Sequence, residues 1–187
     1  PGARGFGFIR RIAPSEESAF VDRARKDDWP EFSVKALNPN FNERYVIQYI
    51  EPVDRNRQAV GLDIASERNR REAAAAALYT GEVRLTGPIT LVQASGKPQQ
   101  SFLILMPIYH GGSTPLTQAE RIQKGFGWSY APLLMEEVLS GLPVDIERLH
   151  YELWDITDLD EPIQFYDSGV SGAARYEQVQ TSVVYGR

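Results

Sequence analysis

The sequence predicts an α+β fold in which helices pack on an antiparallel β-sheet. Residues 60–93 are typical of a strand, a helix and paired strands in succession, and residues 101–109 form a nearly continuous apolar run of strand length. Between Gly5 and Tyr109 the predicted strands and helices alternate irregularly, which favours an antiparallel sheet with helices packed on it.

The first predicted elements come from short runs of apolar and capping residues. Gly5–Ile12 is predicted as a strand that buries Phe6, Phe8 and Ile12. A helix is predicted to begin at Pro14–Glu17, where two acidic residues suit the first turn. Further strands are predicted at Phe32–Val34, Tyr45–Ile50 and Ser101–Tyr109.

Residues 60–93 are the stretch around which the chain is organised. Val60–Ala65 alternates in a way that predicts a strand with Asp63 pointing away from its apolar face. Ser66 suits the N-cap of the following helix, and Gly81 suits its left-handed end. Small side chains on one side of this helix let it lie close to a sheet: Ala73, Ala74, Ala77 and Leu78. Strands are predicted again at Val83–Leu85 and Ile89–Val92.

His110–Pro115 is polar and rich in residues that interrupt helices and strands, so we place a domain boundary there. It divides the chain into residues 1–115 and residues 116–187. The elements predicted after it are a capping-box helix at Thr117–Glu120, a strand at Phe126–Tyr130, a helix from Pro132 to Leu139, and strands at Ile163–Tyr166 and Val179–Tyr185.

Composition limits the possible functions. The 187 residues are 42% hydrophobic and 24% charged, which is ordinary for a folded globular protein. The net charge of −5 argues against a nucleic-acid partner, and no stretch reaches the ~18–20 apolar residues that span a bilayer. The absence of cysteine excludes disulfides, thiolate catalysis and cysteine-ligated zinc. Because the chain begins at Pro1, we expect it to be a fragment of a longer protein.

Catalytic motifs are missing from the sequence, so an enzyme is not expected. His110 and His150 fall in different halves, which leaves few ways to form a Ser-His-Asp triad. No HExxH motif, EF-hand loop or phosphate-binding glycine loop occurs. We therefore predict no catalytic residues, no metal site and no cofactor.

Several segments in order resemble a known sensor family. They are GLDIASERNRREAAAAALYTG at Gly61–Gly81, LTGPITLV at Leu85–Val92 and FLILMPIY at Phe102–Tyr109, with Gly5–Ile9, Tyr45–Ile50, Thr117–Ile122 and Gly125–Trp128. Together they resemble the CHASE domain, the extracytoplasmic sensor of bacterial histidine kinases, cyclic-dinucleotide enzymes and plant cytokinin receptors. The resemblance implies two PAS-like subdomains behind a stalk helix, and we expect the stalk and its membrane anchors to lie outside this segment.

The resemblance also implies a ligand site. In the plant receptors, an aspartate at the position of Asp63 and main-chain groups at the position of Leu85 hold the adenine edge of cytokinin. Two interpretations of Asp63 stay open: a ligand-binding carboxylate, or a cap and ion-pair partner of nearby arginines. The plant receptors have a threonine near the position that Ala94 occupies in this chain. Alanine offers no side-chain hydrogen bond there, which argues against cytokinin itself as the ligand. We expect an adenine-like or other nitrogenous metabolite.

Two strand faces are candidates for the wall of the pocket. Tyr45, Ile47 and Tyr49 share one face, and Leu103 and Leu105 share another. The alternative is that both faces are plain hydrophobic core.

The predicted function is a periplasmic sensor that binds a small molecule and signals to an intracellular kinase or cyclic-dinucleotide enzyme. Its parent would be anchored in the inner membrane and would dimerise through the stalk helix. The alternative is a structural, dimerising or protein-binding ectodomain with no small ligand.

Overall fold

A seven-stranded sheet forms the framework of the computed structural model, which describes residues 2–92, 101–140, 150–169 and 178–187. The strands are β1 (Phe6–Ile12), β2 (Lys35–Ala36), β3 (Arg44–Glu51), β4 (Leu62–Asp63), β5 (Arg84–Leu85), β6 (Ser101–Tyr109), β7 (Gly125–Leu134), β8 (Glu152–Asp155) and β9 (Ile163–Asp167). The helices are α1 (Glu17–Lys26), α2 (Val53–Asn56), α3 (Arg68–Thr80), α4 (Gln118–Lys124) and α5 (Met135–Ser140). The predicted α+β class is confirmed.

The sheet is mixed rather than antiparallel throughout. Its order is β2-β4-β3-β1-β7-β6-β5, and the pairs along β3, β1, β7 and β6 are antiparallel, as predicted. At the edge, however, β2 and β4 are parallel, so the expectation of an antiparallel sheet is wrong there. A parallel pair needs a crossover of a dozen or more residues, and the chain that passes through β3 supplies it.

The central strand β1 buries the opposite face from the one predicted at its start. Ile9 is fully buried, whereas Phe6 is 69% exposed and Phe8 is half-buried. The prediction that Phe6 and Phe8 are buried is therefore wrong for Phe6 and only partly met by Phe8, because alternation alone does not specify which face of a strand is covered. The register between β1 and β3 shifts after Phe8, where Gln48 of β3 has no Cα partner on β1.

Helix α3 packs on the sheet through its small residues, as predicted. Ala74 and Ala77 are fully buried. The Trp128 indole N–H donates to the Ala74 carbonyl at 2.9 Å, and the Tyr109 hydroxyl donates to the Leu78 carbonyl at 2.7 Å. Gly81 ends the helix with φ +77°. Two side chains of the sheet thus hydrogen-bond directly to the helix backbone, which fixes its position.

The N-terminal cap of α3 differs from the prediction. Glu67 caps the helix, because its carboxylate accepts the N–H groups of Asn69 and Arg70. Ser66 instead donates to the Asp63 carbonyl at 2.6 Å and accepts the Leu37 N–H at 2.9 Å. The predicted strand at 60–65 is correspondingly short, since a 3-10 turn follows β4 directly.

Strand β7 connects the two predicted subdomains. It follows the boundary placed at residues 110–115, yet it lies between β1 and β6 in the large sheet. The capping box of Thr117 and Glu120 is confirmed at the start of α4. Pro132, predicted to start a helix, lies inside β7 opposite Leu103, and α5 begins only at Met135. The division into two subdomains stays a prediction, but one sheet takes strands from both sides of it.

The C-terminal part contains a separate two-stranded sheet. β8 and β9 form an antiparallel hairpin, which the sequence predicts at Ile163–Tyr166. The predicted last strand at Val179–Tyr185 is wrong, because these residues form no strand and the Val179 and Val183 side chains are each 82% exposed. Alternating residues make a strand only where a partner strand is available.

Among the helices of the described ranges, we find none with the length and apolar character needed to cross a bilayer.

Candidate functional site

The predicted wall residues lie in three different surroundings. Ile47 and Leu103 line a small interior cavity. Tyr45 and Leu105 are buried core residues beside it, outside its lining. Tyr49 is 47% exposed, and its hydroxyl donates to the Asp27 carboxylate. Two of the predicted wall residues therefore share one site in this structure.

Tyr45 is held in the core by an aromatic contact. Its ring centroid lies 4.5 Å from that of Trp128. Burial, followed by the nearby Glu43 carboxylate, raises the pKa of Tyr45 to about 12. The Tyr45 hydroxyl therefore stays neutral across the physiological range and acts as part of the packed interior.

Asp63 is fully buried, and both of its carboxylate oxygens accept hydrogen bonds from the protein. Oδ1 accepts the backbone N–H of Tyr45 at 2.8 Å and of Ala65 at 3.0 Å. Oδ2 accepts the Asn40 side-chain amide at 2.7 Å. The carboxylate thus caps the 3-10 turn at Ile64–Ser66 and ties the preceding loop to β3. A ligand at Asp63 would have to compete with these donors.

The arginines predicted as partners of Asp63 bond elsewhere. Arg68 pairs with Glu72 at 2.8 Å, Arg71 donates to the Ala65 carbonyl at 2.8 Å, and Arg70 bonds to Glu67 and Thr90. The capping part of the structural interpretation agrees with this geometry, and the ion-pair part does not.

Leu85 is half-buried on β5, and its main-chain N–H is already occupied. It donates to the Tyr185 carbonyl at 3.1 Å. Tyr185 lies in a tight turn, with φ +47° there and +82° at Gly186. The main-chain donor predicted to hold a ligand is therefore bonded to the C-terminal segment. Ala94 lies outside the described residues.

The interior cavity lies between β3, α3, the segment after β5, and the strands β6 and β7. Its volume is about 10 Å³, which is about the space that one water molecule needs. All of its lining is buried except the half-buried Val92. The lining residues are Ile47, Ala59, Leu62, Ile64, Arg70, Leu91, Val92, Leu103, Tyr130 and Pro132.

Arg70 is the charged member of this lining and is only 3% exposed. Its guanidinium donates to the Thr90 carbonyl at 2.7 Å and to the Glu67 carboxylate at 3.3 Å. Burial is the largest influence on Arg70 and lowers the pKa of its guanidinium, although Glu67 partly opposes this. A cation is thus held against an apolar cavity with Glu67 as its one counter-ion among the described residues.

Tyr130 supplies the second polar group of the lining. Its hydroxyl oxygen is buried and has no hydrogen-bond partner among the described residues. Burial raises the pKa of this hydroxyl, so it keeps its proton. An unpaired buried hydroxyl costs roughly 1–3 kcal/mol, which makes Tyr130 a group that a bound acceptor would satisfy.

Arg70 and Tyr130 were not predicted as site residues from the sequence. A signal for Arg70 is present, because it precedes Ala73, Ala74 and Ala77 at helical spacing on the buried side of α3. A charged residue in an otherwise small and apolar stripe is unusual unless it is paired. Tyr130 gives no comparable signal, since a tyrosine in a strand is ordinary.

An open cleft of about 280 Å³ lies where β1 and β6 end and β7 begins. The Arg10 guanidinium lies 3.5 Å from the Phe126 ring centroid, and Arg11 pairs with Glu43 at 2.7 Å. Both cations are therefore engaged by the protein itself, so this cleft is a weaker candidate than the cavity.

One cluster in the described residues has the spacing of a metal site. Ligand-type atoms of His150, Glu152 and Asp167 lie within 4.8 Å of one another on the hairpin. All three side chains are exposed, and exposed acidic groups commonly lie this close without an ion.

Comparison with known proteins identifies the family. The family model of the CHASE domain matches residues 1–166 of the chain. No curated protein matches it.

Proposed function

The chain belongs to the CHASE domain family of extracytoplasmic sensory modules, and on that basis we propose that it senses a small molecule bound in the interior cavity. The observation that carries this proposal is the polar part of the cavity lining. Arg70 and the unpartnered Tyr130 hydroxyl meet an otherwise apolar wall. Ligand sites characteristically combine an apolar wall with a few polar groups that orient the ligand.

The proposal extends to the protein of which this chain is a part. In this proposal the parent is anchored in the inner membrane, the chain lies in the periplasm as two PAS-like subdomains, and a stalk helix pairs two copies. Ligand binding changes the arrangement of the subdomains and so regulates an intracellular kinase or cyclic-dinucleotide enzyme. The coupling cannot exceed the ligand's preference for one arrangement over the other.

A thermal-shift screen tests ligand binding directly. A ligand at ~100 times its dissociation constant stabilises the folded state by ~2.7 kcal/mol, which is several degrees for a chain of this size. The library should include adenine derivatives and other nitrogenous metabolites, because the resemblance to the plant receptors implies them, together with organic acids. A broad library that leaves the melting temperature unchanged would refute the proposal.

The second candidate, a dimerising or protein-binding ectodomain, is favoured by the outer face of the sheet. Phe8 pairs with both Tyr49 and Ser129, and Ser129 pairs with Met106, so these side chains project on the same side. Tyr49 and Met106 are 47% and 50% exposed on this face. Light scattering over a wide concentration range distinguishes the candidates, since a tight ligand-free dimer would support the second.

A further inference from the structure

We propose that the ligand of the interior cavity is a small organic acid, whose carboxylate is bound by the Arg70 guanidinium and the Tyr130 hydroxyl. This inference rests on the proposed sensory function and names the chemical class of the ligand. It does not involve Asp63, whose oxygens are already occupied by protein donors.

The first argument concerns the donors that remain on Arg70. A guanidinium carries five N–H donors, and only Glu67 and Thr90 accept from this one among the described residues. The Glu67 carboxylate also accepts the backbone N–H groups of Asn69 and Arg70, because it caps α3. The buried cation is thus only partly compensated, and a carboxylate matches the fork of a guanidinium.

The second argument concerns the polarity of Tyr130. Its protonated hydroxyl has no acceptor in the described structure, so it is available as a donor. Both polar groups of the lining therefore offer hydrogens, and a ligand that brings acceptors satisfies both. A cationic amine would meet the charge of Arg70 unfavourably, and the N–H donors of an adenine edge find a single acceptor here, the Tyr130 hydroxyl oxygen, and none on Arg70.

The third argument concerns the rest of the wall. Ile47, Leu62, Ile64, Leu91 and Leu103 are aliphatic and buried. An apolar body is therefore expected next to the carboxylate, since burial of apolar area favours binding. Branched-chain and aromatic monocarboxylates have this combination.

The cavity must enlarge to admit such an acid, because its volume of about 10 Å³ does not exceed one water molecule. Leu91 and Val92 form part of the wall, and neither belongs to a described strand. Moving these two side chains therefore leaves the ladder hydrogen bonds of β3, β6 and β7 intact. The apparent dissociation constant is then the intrinsic one divided by the fraction of molecules in which the cavity is open.

The test uses the whole chain and three acids of increasing size, acetate, isobutyrate and benzoate, each beside its neutral amide. Thermal shift and calorimetric titration are run at constant ionic strength, with sodium chloride as the salt control. At least one acid is expected to bind ten- to hundredfold more tightly than its amide, on the order expected for hydrogen bonds to a charged group.

Tyr130→Phe and Arg70→Gln test the two donors. Tyr130→Phe is expected to weaken binding of the acid by about tenfold. The free protein should be as stable as before or more stable, because the change removes an unpaired buried hydroxyl. Arg70→Gln is expected to abolish the preference for acid over amide. Tyr109→Phe serves as the control, because Tyr109 is also buried but lies outside the cavity lining. Loss of its hydroxyl removes the hydrogen bond to the Leu78 carbonyl, so the free energy of unfolding falls while the affinity for the acid stays the same.

The outcomes separate this inference from the proposed function. Equal affinity for acids and amides, no binding of any acid, or unchanged acid affinity in Tyr130→Phe would each overturn the organic-acid inference. If adenine derivatives or amines still bind, the sensory proposal survives that failure. If nothing in the wider library binds, both proposals are lost.

Discussion

The strands of the large sheet and of the β8–β9 hairpin share the same alternation of apolar and polar residues, but they differ in how deeply the apolar side chains are buried. In the sheet, the alternating side chains of β6 and β7 include Leu105 and Trp128, both at 0% exposure. In the hairpin, no residue of the described range 150–169 is fully buried. The difference shows that alternation predicts a strand, whereas helices such as α3 decide whether a core forms over it.

The hairpin therefore depends on the rest of the molecule. Two-stranded hairpins are at best marginally stable alone in water. This one contacts the sheet through Phe165, whose ring is perpendicular to that of Phe102 at 4.9 Å. It also contacts the C-terminal segment, where Arg187 donates to the Asp155 carboxylate at 2.6 Å. We expect the sheet to unfold as a whole and the hairpin to detach locally.

The largest effect is expected for Leu105→Ala in the sheet. The change leaves a cavity under α3 and should lower the free energy of unfolding by ~2–5 kcal/mol. Met106→Ala, one residue along the same strand and 50% exposed, is the matched control and should change little. Urea unfolding measures both. Equal effects would mean that the two faces of β6 are not as different as the structure shows.

A smaller loss is expected for Ala77→Leu on α3. Ala77 is fully buried, and the added side chain should cost ~1–3 kcal/mol through overpacking against the sheet. Ala76→Leu, at a partly exposed position of the same helix, is the control. Thermal unfolding compares the variants, and an unaffected Ala77→Leu protein would contradict the close contact between helix and sheet.

Asp63→Asn is expected to cost about 1–3 kcal/mol in the free protein. The introduced amide would present a donor to the Asn40 amide, which now donates to Oδ2 at 2.7 Å. Asp22→Asn, an exposed change on α1, should be neutral. Unfolding in denaturant tests this. Unchanged stability with weakened binding of a nitrogenous ligand would support the ligand role of Asp63 instead.

In the hairpin, Phe165→Ala should remove an aromatic contact that contributes ~0.5–1.5 kcal/mol beyond its buried area. Because the hairpin is expected to detach locally, NMR shifts should change over residues 152–167 while the melting temperature of the sheet moves little. Phe41→Ala, at an 87% exposed position, is the control. A concerted loss of the whole fold would show that the two regions unfold together.

The smallest effect is a pH dependence of the contact between Asp155 and Arg187. Burial opposes ionisation of Asp155, but hydrogen bonds from Thr157 and Arg187 outweigh it, so the pKa of this carboxyl lies below its ordinary value. A lowered pKa stabilises the folded state above the ordinary value of ~3.9, and this contribution disappears as the pH falls through the folded pKa.

Below about pH 4 the Arg187 side-chain NMR signal should therefore shift as its partner is protonated. Asp155→Asn is the control, since it removes the titrating group while keeping the shape. The same shift in that variant would assign the titration to another acid.

Elements whose bounds are determined by residues close in sequence could be predicted. The C-terminal end of α3 and the N-terminal cap of α4 illustrate this, because Gly81 and the Thr117–Glu120 box act within one helical turn. The strand β6 could equally be predicted from its run of apolar residues. Elements that depend on distant partners could not be predicted. The bulge at Gln48, where β3 pairs with β1, and the missing strand at Val179–Tyr185 are both set by which strands lie alongside.

The candidate site divides in the same way. Ile47 and Leu103 were predicted as wall residues from strand alternation, and both line the cavity. Whether Arg70 faces solvent, Asp63 or a cavity depends on how α3 rotates against the sheet, which no local pattern specifies. The unpaired state of the Tyr130 hydroxyl likewise becomes visible only when every neighbour is in place.

The burial of Trp128 gives the protein an internal optical reporter. Its indole is at 0% exposure, donates to the backbone of α3 and lies against Tyr45, whereas Trp154 on the hairpin is 46% exposed. An indole shielded from water emits at shorter wavelength than an exposed one, so Trp128 and Trp154 give distinguishable fluorescence once the third tryptophan, the half-buried Trp29, is replaced by phenylalanine. The emission of Trp128 therefore reports on the packing of α3 against the sheet, and the emission of Trp154 reports on the hairpin, without any attached dye.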